Sequence, residues 1–128
     1  MEYLPWLSEF GAHTASRLRD IDAVSRISSP VLQSFQLSSC RTIVSLEPIR
    51  MCQGLRFLEF SDCGELASTN PVGNLEQLER LYLYGSTRVL DNDLSPIRGL
   101  LRLHDFRMQS RRDYRPSVHE IQESIARR

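Results

Sequence analysis

The 128-residue sequence predicts a stacked-repeat solenoid, and three observations carry that prediction. The spacing L-x-x-L-x-L-x-x-C recurs: residues 32–40 read LQSFQLSSC, residues 55–63 read LRFLEFSDC and residues 78–86 read LERLYLYGS, at steps of 23 residues. A proline–apolar pair follows in these three units, at Pro48-Ile49, Pro71-Val72 and Pro96-Ile97, with Cys52, Leu75 or Leu100 three residues beyond it. Departures from the period fall in polar stretches suited to turns. A fixed period of this size marks units that bury their apolar rows only by stacking on neighbours.

Taken in order, the first unit starts at Leu7 and carries Phe10, Ala12, Ala15 and Leu18 at the corresponding offsets. Further units start at Leu32, Leu55, Leu78 and Leu103, so the steps are 25, 23, 23 and 25 residues. The first long step comes from Ser28-Ser29-Pro30-Val31, and the second from two extra residues within Leu90–Leu94. Eleven residues after each start stands an apolar side chain: Leu18, Ile43, Leu66, Val89 and Tyr114. Three departures stand out. Ala12 and Ala15 are small, Thr69 occupies the place of Ile21 and Leu46, and Arg111 occupies the cysteine position.

In L-x-x-L-x-L the last two apolar residues point to one side and those between them to the other, by the two-residue period of a strand. The pattern over residues 7–115 resembles the leucine-rich repeat family, of the short bacterial kind with 22–25 residues per repeat. The resemblance implies an α/β solenoid of about five repeats, with a parallel concave β-sheet and a return path of turns or short helices on the convex side. One domain over residues 1–128 is expected, with a cap at 116–128. The cap is legible on its own terms. Ser117 and Glu120 form a capping-box pattern ahead of Val118, Ile121 and Ile125, so Ser117–Ala126 reads as an amphipathic helix over the open end of the last repeat. No comparable signal precedes Leu7. Leu4, Trp6 and Leu7 either fold over the first repeat or leave an uncapped end for a partner domain or self-association.

Composition excludes several classes of function. Sixteen arginines balance sixteen acidic residues and there is no lysine, so no general attraction to nucleic acid or anionic membrane is expected. The all-arginine basic set suggests a GC-rich coding sequence. No apolar run spans a bilayer, and Met-Glu-Tyr-Leu-Pro-Trp lacks the pattern of a secretory signal, which makes a cytoplasmic location the expectation. His13, His104 and His119 show no metal-ligand spacing with cysteine, and no phosphate loop or nucleophile elbow is present. No enzyme activity, cofactor or metal is expected. Cys40 and Cys63 occupy equivalent positions, and both a disulfide and a pair of reduced, buried thiols are compatible with that spacing.

The outward strand positions fall into three columns: Glu9, Ser34, Phe57, Arg80 and Asp105; Gly11, Gln36, Glu59, Tyr82 and Arg107; His13, Ser38, Ser61, Tyr84 and Gln109. The residues Phe57, Glu59, Arg80, Tyr82, Tyr84, Asp105 and Arg107 gather in the central and C-terminal part. Aromatics and arginine dominate binding hot spots, and the same residues also stabilise neighbouring strands by pairing with each other. Both readings stay open here. A second cluster, Arg111, Arg112 and Arg115 with Arg127 and Arg128, reads as a solvated cap and tail or as a phosphate contact.

The expected function is non-catalytic recognition of a protein or peptide ligand through the concave face. The alternative is the ligand-sensing repeat tail of a larger bacterial signalling or defence ATPase of the NACHT type. If the register is right, Leu81→Ala opens a cavity in the middle of the stack and costs about 2–5 kcal/mol. An unchanged thermal melting curve for that variant would refute it.

Overall fold

The computed structural model describes residues 9–13, 33–39 and 46–128. Its main element is a five-stranded, wholly parallel sheet formed by β1 (Glu9–His13), β2 (Ser34–Ser38), β3 (Phe57–Ser61), β5 (Arg80–Tyr84) and β7 (Asp105–Met108), which follow one another in chain order. A second parallel pair joins β4 (Glu65–Leu66) to β6 (Arg88–Val89). The helices are α1 (Ser95–Arg98) and α2 (Val118–Ala126). The starts at Leu7 and Leu32, the apolar residues Leu18 and Ile43, the residues Leu4 and Trp6, and Cys40 all lie outside the described residues.

Pairing in the sheet follows the sequence period. Phe35 pairs with Leu58, Leu58 with Leu81 and Leu81 with Phe106, while Leu37, Phe60, Leu83 and Met108 form a second row. Both rows are buried. The outward columns pair as expected from Glu9 to Asp105 and from Gly11 to Arg107. The third is shorter than expected: β7 stops at Met108, so Gln109 does not pair with Tyr84.

The return path has its own rhythm. Ile49 N–H donates to Leu46 O (3.0 Å), Cys52 to Ile49 (2.9 Å) and Leu55 to Cys52 (3.0 Å). The same chain of bonds links Thr69, Val72, Leu75 and Leu78, and again Leu94, Ile97, Leu100 and Leu103. Bonds of this i→i+3 type give three residues per turn, so every third side chain eclipses the last on one face. All twelve of these residues are buried. Pro48, Pro71 and Pro96 stand at or next to the first turn of a short helical segment (Glu47–Met51, Val72–Asn74 and α1), where the missing N–H costs nothing. Successive turns pack closely: a Cβ at Gly73 would meet Pro96 Cβ at 2.9 Å.

The departures in sequence have physical explanations. Thr69 is buried and its hydroxyl donates to Asp93 O (3.1 Å), so a polar atom in the apolar row is satisfied by the next repeat. Cys63 Sγ donates to Leu37 O (3.5 Å), which fills the cysteine slot as a small thiol. One repeat later the slot belongs to Thr87, not Ser86. Its hydroxyl donates to Phe60 O (3.3 Å) and accepts from Cys63 N–H (3.0 Å), while Ser86 is exposed. Arg111 does not reproduce this arrangement, and its Nε is buried with no partner among the described residues. The two extra residues near Leu90–Leu94 form a loop that pairs with the C-terminal segment. Arg115 N–H donates to Asn92 O (2.9 Å) and Leu94 N–H to Arg115 O (2.9 Å). Beside it, Tyr114 is fully buried and its hydroxyl accepts from Val89 N–H (3.2 Å).

Helix α2 starts as the sequence indicates. Ser117 Oγ accepts from Glu120 N–H (3.1 Å), and Glu120 Oε1 accepts from Ser117 N–H (3.3 Å). Val118 and Ile121 are buried, Ile125 packs against the core, and Gln122 Nε2 donates to Phe106 O (3.0 Å) on β7. Among the described residues no helix is long and apolar enough to cross a membrane.

The turns after β2, β3 and β5 pass through the left-handed region, at Ser39 (φ 57°), Asp62 (φ 53°) and Gly85 (φ 63°). At Gly85 a second constraint applies, because a Cβ there would collide with the Asp62 carboxylate, whose Oδ1 accepts from Ser86 N–H (2.9 Å). Gly85→Ala is therefore expected to destabilise the protein by about 1–3 kcal/mol, with a smaller loss when Asp62→Ala removes the obstructing carboxylate. A denaturant titration of the single and double variants measures this, and additive losses would refute the collision.

Candidate functional site

The seven residues singled out in sequence lie on one face of the sheet, because they occupy alternate positions of β3, β5 and β7 opposite the buried rows. The structure brings them together. Phe57 meets Tyr82 edge-on, with ring centroids 5.2 Å apart and planes at 74°. Tyr82 lies 5.4 Å from Tyr84, with rings tilted by 36°. Two guanidinium groups cover this row: Arg80 Cζ sits 4.7 Å from the Phe57 centroid and Arg107 Cζ 4.9 Å from that of Tyr82. Edge-to-face rings and cations over ring faces are the favoured geometries of such groups.

Charge is arranged around Asp105. Its carboxylate accepts from Tyr82 Oη at 2.7 Å and from Arg107 Nε at 3.1 Å. A third bond comes from Arg107 Nη2 at 3.3 Å. Glu59 instead accepts from Ser61 Oγ (3.2 Å). The four charged residues thus do not all neutralise one another. Asp105 and Arg107 pair, while Arg80 turns to Phe57. Both sequence readings of the patch have support in this arrangement, since Asp105, Tyr82 and Arg107 brace one another while Tyr84, Arg80 and Arg107 remain exposed.

Titration of the patch follows from these contacts. Burial pushes the Asp105 carboxyl up, but the hydrogen bonds from Tyr82 and Arg107 outweigh it and hold the group below the usual carboxylate range. The Tyr82 phenol is raised, chiefly by its bond to Asp105. Beyond the patch, a groove of about 340 Å³ separates β7 from α2 and is lined by His104, Asp105, Arg107 and Gln122 on its polar side.

Other candidates resolve into structural roles. Arg115 Nη1 donates to Arg112 O (2.8 Å) and Tyr114 O (2.7 Å), and Arg128 Nη1 to Leu100 O (2.6 Å) and Leu103 O (2.7 Å). Arg127 lies 3.7 Å from Glu123. These arginines hold backbone carbonyls and the terminal helix, which favours the cap reading over a phosphate contact. Cys52 and Cys63 are both buried, and burial pushes the Cys52 thiol up to about 11. Such a thiol stays protonated and packs as a small apolar group. His104 sits 3.9 Å from Glu79 and His119 2.9 Å from Glu123. Among the described residues no cluster of three or more histidine, cysteine or acidic side chains is placed to hold a metal. Sequence reasoning missed Thr87, whose buried hydroxyl joins two repeats.

The Asp105 contacts predict an acid limb. A carboxyl depressed by folding contributes stability above its unfolded pKa of about 3.9 and loses it as pH falls through the lower folded value. Tyr82→Phe removes one of the bonds, so the Asp105 pKa rises and acid unfolding begins at higher pH. The raised phenol acts oppositely. Its contribution is present below about pH 10 and lost above it, and that loss is absent in Tyr82→Phe. Carboxyl NMR titration with pH-dependent unfolding checks both limbs, and an unmoved Asp105 pKa in the variant would contradict the assignment.

Comparison with protein-family models, with curated proteins and with solved structures found no match to the chain.

Proposed function

We propose that the chain is a leucine-rich repeat solenoid that recognises a protein or peptide through the sheet face bearing Phe57, Glu59, Arg80, Tyr82, Tyr84, Asp105 and Arg107. One observation carries this reading. An all-parallel sheet ordinarily has both faces covered, yet here one face is packed against the return path and the other presents a contiguous row of rings and guanidinium groups with no layer over it among the described residues. The match between pairing register and sequence period supports the solenoid part of the proposal.

The row is suited to recognition because its side chains are already held. Tyr82 is fixed by Asp105 and Arg107, so little rotamer entropy remains to be lost on contact. Tyrosine also offers apolar area with a polar tip.

The test is affinity capture with the intact protein, followed by measurement of the recovered partner against the Tyr82→Ala/Tyr84→Ala variant, with circular dichroism to verify the fold. Loss of about 30-fold or more in affinity, equivalent to about 2 kcal/mol, is expected for hot-spot aromatics. Full affinity in a folded double variant would falsify the concave-face reading.

A further inference from the structure

Within the aromatic row, Arg80 is the one cation that leaves its neighbouring carboxylate. Its direct cross-strand partner is Asp105, in the register where opposite charges ordinarily meet. That carboxylate is already occupied by Tyr82 and by both fork atoms of Arg107. Arg80 lies instead over Phe57, 4.7 Å from the centroid, exposed, and with no acceptor for its N–H groups among the described residues. With its carbon over a ring, the guanidinium still carries its planar fork of N–H donors, the geometry that matches a carboxylate with two parallel bonds.

From this geometry we infer that Arg80 anchors an acidic side chain of the bound segment, and that an apolar or aromatic neighbour of that side chain packs on Tyr82 and Tyr84. The inference rests on the proposed concave-face function and specifies its ligand chemistry: a peptide segment with an Asp or Glu next to a large apolar residue. Peptide carboxylate is favoured over nucleic-acid phosphate because Glu59 and Asp105 share the face, and a polyanion tracking across it would meet both. A single carboxylate flanked by apolar surface avoids them.

The experiment is selection from a displayed random-peptide library by the intact protein, followed by affinity measurement of the selected peptides and of their Asp→Asn or Glu→Gln counterparts. An enriched acidic residue beside an aromatic or aliphatic one is expected. Amidation should weaken binding by about 10- to 100-fold, the range of a charge-assisted pair. Arg80→Gln should abolish that difference between acid and amide, and Arg80→Lys should restore only part of it. Selected peptides that depend on Tyr82 and Tyr84 but show no acidic preference would overturn the Arg80 assignment and leave the concave-face function standing. Peptides indifferent to Tyr82 and Tyr84, or no selected peptide at all, would overturn both. An oligothymidylate probe that binds more tightly than the peptides and loses affinity in Arg80→Gln would assign the anion to phosphate and overturn the peptide.

Discussion

Each inward side chain of the sheet is covered by the residue one period away, and the remaining features depend on that in-register stacking. Leu58 sits between Phe35 and Leu81, and Leu81 between Leu58 and Phe106. No unit closes a core by itself, so stability is shared across the junctions between units. The return path obeys the same constraint through a different periodicity. A strand alternates its side chains by two, while the i→i+3 ladder from Leu46 to Leu55 turns by three. The switch at Leu55, Leu78 and Leu103 lets one continuous chain line both sides of the core with apolar residues.

That constraint also separates structure from surface. Leucines and phenylalanines at inward positions are committed to their neighbours, and the alternate positions are free to vary. The outward row is not loose, however. Asp105 acts as a hub: it holds the Tyr82 hydroxyl and the Arg107 guanidinium, and Arg107 in turn covers the Tyr82 ring. A face organised this way has part of its side-chain order in place before any contact is made. The fixed hub also saturates the nearest carboxylate, which is why Arg80 stands apart from it.

Much of the architecture was legible because it rests on periodicity. The strand registers, the outward columns from Phe57 to Arg107, and the Ser117–Glu120 helix start follow from spacing alone. What escaped had a local cause. Thr87 takes the slot expected for Ser86: its hydroxyl reaches Phe60 O, the equivalent of the Leu37 O that Cys63 holds, while the Ser86 N–H is taken by the Asp62 carboxylate. The hydroxyl of Tyr114 serves a backbone N–H on β6, which its place in an apolar series does not reveal. Cross-strand adjacency suggested that Arg80 would neutralise a carboxylate. The two competing cations are identical, and they approach Asp105 differently, Arg107 from two residues along the same strand and Arg80 from the neighbouring one; spacing carries no information about which approach wins.

Asp62 and Gly85 give the stack an order. The Asp62 carboxylate caps Ser86 and occupies the space a side chain at position 85 would need. These two units are therefore a matched pair rather than interchangeable copies. Tandem duplication of residues 55–77 would set one Asp62 above another, with a side chain where the glycine had been. Lengthening of this array by simple duplication therefore carries a penalty at this junction, which is relieved when the turn residue changes together with the unit or the Asp62 carboxylate turns aside.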